Sequence, residues 1–258
     1  MIRAGVEPTT YGLEGRCSIQ LSYRTVFRRK SNELNEKHKQ PRKKLTPLPS
    51  QKVMNTLLTT AYWAPVSYYR AWLQADSVYM EAHENYLRQT YRNRCVIGSA
   101  NGPQHLSVPI VHRSGEKIPI RDVRIDSSVA WQRIHYKTVV SAYRRSPFFE
   151  YYIDDLLDLF RKRFDFLFDL NLEIDRRVFG LLRLPFQYNL TAGFRETGEA
   201  PCLNLSDGFN PRHRDLSLSN MPYEQVFGNK FGFMPDLSIM DLIFHTGPDA
   251  VSFLMKKN

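Results

Sequence analysis

Asn55-Thr56-Leu57-Leu58-Thr59-Thr60-Ala61-Tyr62-Trp63, followed by Ala64-Pro65, is the stretch on which the fold turns. Its Leu, Thr and aromatic residues suit a buried strand. Pro65 fits the first turn of a helix, and Val66, Tyr69, Trp72 and Leu73 then recur at helical spacing. Ser77 to Ala82 gives a second strand. Further on, Cys95 to Gly98, Leu106 to Val111 and Ile118 to Ile125 predict three more, with Asn101-Gly102-Pro103 as the turn between the first two. Such short connections favour antiparallel pairing. The pattern then turns helical. Asp126-Ser127-Ser128 predicts an N-cap, with Trp131, Ile134, Thr138 and Ala142 on one face of a helix reaching Arg145. Pro147 opens a second helix through Phe160, and a third runs from Asp165 to Arg183, where Pro185 ends it. Gln187 to Thr191 predicts a short strand returning to the sheet. Residues 192 to 220 form a long loop or lid, Pro222 to Phe227 a helical turn, and Asp236 the cap of a helix from Leu237 to Phe244 that Thr246-Gly247-Pro248 stops. The expected fold class is α/β or α+β, one domain over residues 54 to 258 with a mixed sheet and packed helices.

A net charge of +10 would ordinarily point to nucleic acid or an anionic membrane. Most of it, +8, lies in residues 1 to 53, which leaves only +2 for the rest, so no nucleic-acid partner is expected. The leader reads as a spurious extension. Cys17 to Tyr23 has a coding whose reverse complement resembles the D-arm of a transfer-RNA gene, and Gly5 to Pro8 one resembling a T-arm. The frame is expected to start at Met54; the alternative is a basic tail that binds RNA. After Met54 only Cys95 and Cys202 remain, without a Cys-x-x-Cys pair, which argues against a thiolate zinc site. No run of about 18 apolar residues is present to span a bilayer, and a cytoplasmic location is the expectation.

The densest polar stretch is Tyr79 to Arg94, carrying Glu81, His83, Glu84, Gln89, Arg92, Asn93 and Arg94. No core needs that many polar groups. Read as a strand, Gln89 to Arg94 puts Arg92 and Arg94 on one face, where two planar forks suit a phosphate or carboxylate. The competing reading is a surface strand with ion pairs to Glu81 or Glu84, worth little. His83 works near neutral pH as a general base with Glu81 as the second candidate, while a loop-bracing histidine accounts for the same residue equally well. The spacing fits no zinc signature, so no metal is expected. Of His135 and Lys137, two apart on a helix, one faces the sheet and the other solvent. His135 is the candidate ligand-binding member. Arg212-His213-Arg214-Asp215 in the lid reads as a solvated charge cluster, and Cys95 as a core thiol, since alternation turns it away from Arg94. Phosphate-loop, dinucleotide and nucleophile-elbow motifs are absent, and no cofactor is indicated.

Thr60-Ala61-Tyr62-Trp63-Ala64-Pro65-Val66-Ser67-Tyr68-Tyr69, Glu81-Ala82-His83-Glu84-Asn85-Tyr86, Gln89-Thr90-Tyr91-Arg92-Asn93-Arg94, Asn101-Gly102 and Leu106-Ser107-Val108-Pro109 together resemble the WbqC-like family. Ser146 to Tyr152 and Pro235 to Leu242 look like its Bacteroidetes-type members. The resemblance runs from Asn55 to about Asp249. It implies a place in O-antigen and other surface-glycan gene clusters without supplying a mechanism. Where many members carry Asp-Asp-x-Gln this chain has Glu-Ala-His-Glu. Two functions follow as expectations. One is a transferase acting on an amino or hydroxyl group of a nucleotide-linked sugar, with Arg92 and Arg94 holding the anion and His83 or Glu81 as base. The other is a non-catalytic module binding an anionic ligand or a partner enzyme.

Overall fold

The computed structural model describes residues 54–111, 117–195, 202–205, 209 and 222–256. Residues 1–53 and most of the loop expected over 192 to 220, Arg212 to Asp215 included, lie outside the described residues. Strand β1 (Asn55–Thr59) is buried at all five positions and is the centre of the molecule. Helix α1 (Val66–Gln74) carries the chain over to β2 (Ser77–Glu81), which pairs parallel to β1. Two short later strands, β5 (Asn189–Leu190) and β6 (Cys202–Asn204), complete a parallel sheet in the order β5-β2-β1-β6. A separate antiparallel hairpin joins β3 (Arg94–Ser99) to β4 (Gly102–Ser107). Parallel and antiparallel pairing thus coexist, as the α/β or α+β expectation required, but the four-stranded sheet is parallel throughout. Its later partners come from far along the chain, where short connections give no signal.

The hairpin turn is tighter than the sequence suggests. Ser99 pairs directly with Gly102 at φ 92, so β4 begins at Gly102 and ends at Ser107 rather than spanning Leu106 to Val111. The strand expected over Ile118 to Ile125 is a 3-10 turn, Ile120–Asp122, flanked by isolated bridges at Pro119 and Ile125. Pro119, which lacks an N–H, leaves one ladder position there without a donor.

Helices α2 (Trp131–Tyr143), α3 (Phe149–Leu157) and α4 (Leu167–Leu181) follow in the expected order. Asp126 does not cap α2; its carboxylate accepts from the Ser128 amide in a local turn instead. The helical turn near residue 225 lies slightly later than expected, as α5 (Gly228–Phe231), and α6 (Ile239–Thr246) and α7 (Ala250–Met255) finish the chain. Asp236 serves a different helix from the one expected. Its carboxylate accepts from the Ser67 amide at 2.9 Å and the Ser67 hydroxyl at 3.0 Å, closing the N-terminus of α1, while Ser238 caps α6. Val66 N–H to the Leu237 carbonyl and Ile239 N–H to the Ala64 carbonyl stitch the same two segments together.

The core collects Leu57, Leu58, Trp63, Tyr69 and Met80 around the sheet with Phe179, Leu242 and Phe244 from the helices. Each such side chain contributes about 1.5–3 kcal/mol through burial. Among the described residues no helix is long and apolar enough to cross a membrane.

Candidate functional site

The carboxyl end of β2 is where the sheet becomes chemically unusual. Glu81, its last residue, is 0% exposed, yet its carboxylate is fully engaged. One oxygen accepts from the His83 amide at 2.7 Å and the Thr191 hydroxyl at 3.1 Å; the other accepts from the Arg195 amide at 2.6 Å. A carboxylate with three donors is stable without solvent. Glu81 therefore clasps the segment after β5 to the end of β2, and Thr191 reinforces the clasp by accepting from the Ala82 amide.

That clasp fixes His83. The imidazole is exposed, and its Nε2 lies 3.0 Å from the Thr191 carbonyl oxygen. A carbonyl only accepts, so Nε2 carries the proton and the lone pair of the neutral ring sits on Nδ1. Beside it, Arg195 is held at φ 60, a left-handed conformation that costs a non-glycine residue energy and that the Glu81 contact to its amide helps to retain. The Arg195 guanidinium lies 5.0 Å over the ring of Phe194, itself 58% exposed. An imidazole, a guanidinium and an aromatic ring thus lie on the segments that Glu81 joins, at the carboxyl ends of parallel strands, the rim where open α/β sheets take their ligands.

Below the rim lies a buried polar layer. Arg92, 2% exposed, forks onto the Glu84 carboxylate through Nε and Nη2, and the Thr59 hydroxyl donates to the same carboxylate. Asn171 of α4 donates to the Arg92 carbonyl at 2.8 Å. Residues 88–93 are turn and bend, and regular strand begins only at Arg94. Arg92 and Arg94 consequently share no strand face, and the Arg92 fork is taken up by Glu84. Gln89 is exposed at φ 60. Asn93 is buried and donates to the Val108 carbonyl, and Arg94 is half-buried at the start of β3.

His135 lies in the core, with Nδ1 2.8 Å from the Tyr62 hydroxyl and its ring packed edgewise on Trp131. Burial pushes its imidazole down to about 4, against an opposing contribution from the Ser107 backbone, so the ring is neutral. Lys137 is the exposed member of that pair. Cys95 is 0% exposed and burial raises its thiol pKa, which makes it inert, as alternation implied. Among the described residues no group of three or more His, Cys, Asp or Glu side chains is placed to hold a metal ion.

The structure unites Glu81 and His83 on the rim, puts Arg92, Asn93 and Arg94 beneath or beside it, and sends His135 elsewhere. Sequence reasoning missed Thr191, Phe194 and Arg195. Their signals were the short strand expected to return at Gln187 to Thr191, which delivers them to the end of β2, and the long loop expected from residue 192, neither of which named a residue. It also missed Asp175 of α4, which accepts from the Tyr69 hydroxyl at 2.6 Å and whose carboxyl burial pushes up to about 8.

A model of the WbqC-like protein family matches residues 61–207, which contain the rim and, apart from Thr59, the buried layer. No curated protein and no solved structure matches the chain.

Proposed function

The chain belongs to the WbqC-like protein family, and on that premise we propose that it is a transferase of surface-glycan biosynthesis acting in the cytoplasm on a hydroxyl or amino group of a nucleotide-linked sugar. The observation that carries the reading is the contact of His83 Nε2 with the Thr191 carbonyl, which sets the tautomer. With Nε2–H given to the Thr191 carbonyl, Nδ1 of the exposed His83 is the acceptor that takes the proton from the attacking hydroxyl or amine. The freed electron pair forms the new bond, and the donor's leaving group departs with its own pair. Glu81 positions this base through the backbone. Arg195 and Phe194 supply a cation for phosphate and a flat face for a nucleobase.

A second reading, a binding module without turnover, is favoured by one observation. Glu81 and Arg92 both spend their hydrogen-bonding capacity inside the protein, leaving His83 as the proton-handling candidate on the rim among the described residues. The test is His83→Gln assayed against a panel of nucleotide sugars with acyl donors. The substitution keeps a donor near the Thr191 carbonyl and removes proton exchange. Turnover is expected to vanish with ligand affinity and melting temperature preserved. Unchanged turnover rules His83 out as the base, and binding without turnover in the parent chain supports the module.

A further inference from the structure

A cavity of about 460 Å³ opens between the C-terminal half of α2 and the segment at Val226 and Phe227, and it shares no residue with the rim around His83. We propose that it is a second binding site, for a phosphate-bearing small molecule with a planar group, of the size of a nucleoside diphosphate. Lys137, Ser141, Arg144 and Arg145 line it: Lys137 and Ser141 lie one turn apart on α2, and Arg144 and Arg145 follow directly on its last residue, Tyr143. All four are exposed, and none of the three cations forms an ion pair among the described residues. Among the described residues the lining contains no carboxylate.

Cations near a helix C-terminus are common because they complement the helix dipole. That dipole amounts to about half an elementary charge, against three formal positive charges here, so most of the positive potential remains for a ligand. Placing three like charges together without a counter-ion is unfavourable for the empty protein, and a bound di- or trianion relieves it.

The opposite wall is apolar and fixed. The Val226 amide donates to His245 Nε2 at 2.9 Å. Gln225 bonds the Met234 carbonyl, the Met234 amide and the Asp241 carboxylate. Lys230 reaches across to the Ala100 carbonyl at 2.8 Å. The half-buried Phe227 is therefore held where a planar group lies against it, and the volume falls within the range of small-molecule sites. Phosphate oxygens meet the guanidinium forks and the Ser141 hydroxyl.

Calorimetric titration of the full chain with ADP and with pyrophosphate, at low salt, tests the site. Both probes are expected to bind, ADP more tightly. The triple variant Lys137→Gln, Arg144→Gln, Arg145→Gln is expected to weaken both about tenfold or more. Phe227→Leu is expected to weaken ADP alone, and all titrations are repeated in a Phe194→Ala, Arg195→Gln background, which removes the rim's own cation and aromatic face so that the binding read is that of the cavity. All three cations are exposed, so the triple variant keeps its fold, and circular dichroism verifies this. Absence of binding at about 1 mM of either probe, or a triple variant that binds like the parent, overturns the proposal. Equal affinity for ADP and pyrophosphate overturns the assignment of a planar group to Phe227.

Discussion

Asp175→Asn is the most discriminating perturbation of the buried layer. The Asp175 carboxyl is 0% exposed, receives the Tyr69 hydroxyl at 2.6 Å, and is pushed by burial from an ordinary 3.8 to about 8. Unfolded, it loses its proton near pH 4; folded, it keeps it to about pH 8. The native state binds the extra proton throughout that window, so stability falls as pH rises through it. The gap corresponds to a loss on the order of 5 kcal/mol, complete above pH 8 and absent below pH 4, at about 1.36 kcal/mol per pKa unit. Asparagine has the same shape, still accepts from Tyr69, and carries no charge at any pH. The variant is therefore expected to match the parent near pH 4 and to exceed it by several kcal/mol at pH 8. Urea unfolding of both proteins at pH 4, 6 and 8 measures the difference directly. Asp241, whose pKa burial also raises, contributes to both proteins and cancels. A difference that stays constant across pH would refute the argument, since it would mean that Asp175 is ionised in the folded state.

Arg92→Met leaves the Glu84 carboxylate buried without its cation and is expected to cost about 3–5 kcal/mol, most of it restored by adding Glu84→Gln. A loss under about 1 kcal/mol in chemical denaturation would show the pair to be solvated. Gly247→Ala is expected to destabilise by about 2 kcal/mol or more, because φ is +55 and the added methyl would sit 2.5–2.6 Å from the Phe148 ring carbons. A melting temperature equal to the parent's would contradict that crowding.

Local pattern made β1, α1, β2 and the helices legible, because each has an internal period or a Pro that needs no distant information. Neither β6 nor the true partner of Asp236 had such a signal. Cys202–Asn204 is too short to show alternation, and the Asp236 carboxylate reaches Ser67 across most of the domain. The site divided along the same line. His83 and Glu81 stood out by density, whereas Arg195 acquires its position only when Glu81 takes its amide. Arg92 and Arg94 were misplaced because 88–93 turns where a strand was expected, and that turn is fixed by contacts such as Tyr62 N–H to the Tyr91 carbonyl.

The order β5-β2-β1-β6 has a consequence for how the protein is made. β2 emerges from the ribosome soon after β1 and covers one of its edges. The other edge waits for Cys202–Asn204, the whole of α2, α3 and α4 having first been translated. At about 5–20 residues per second that interval is on the order of ten seconds. Throughout it, a strand that is buried in the finished fold offers an unpaired row of amides and carbonyls to any neighbouring chain. Nascent polypeptides of this protein are thus most exposed to aggregation while β1 is half-paired, and slower elongation between β2 and β6 lengthens that exposure.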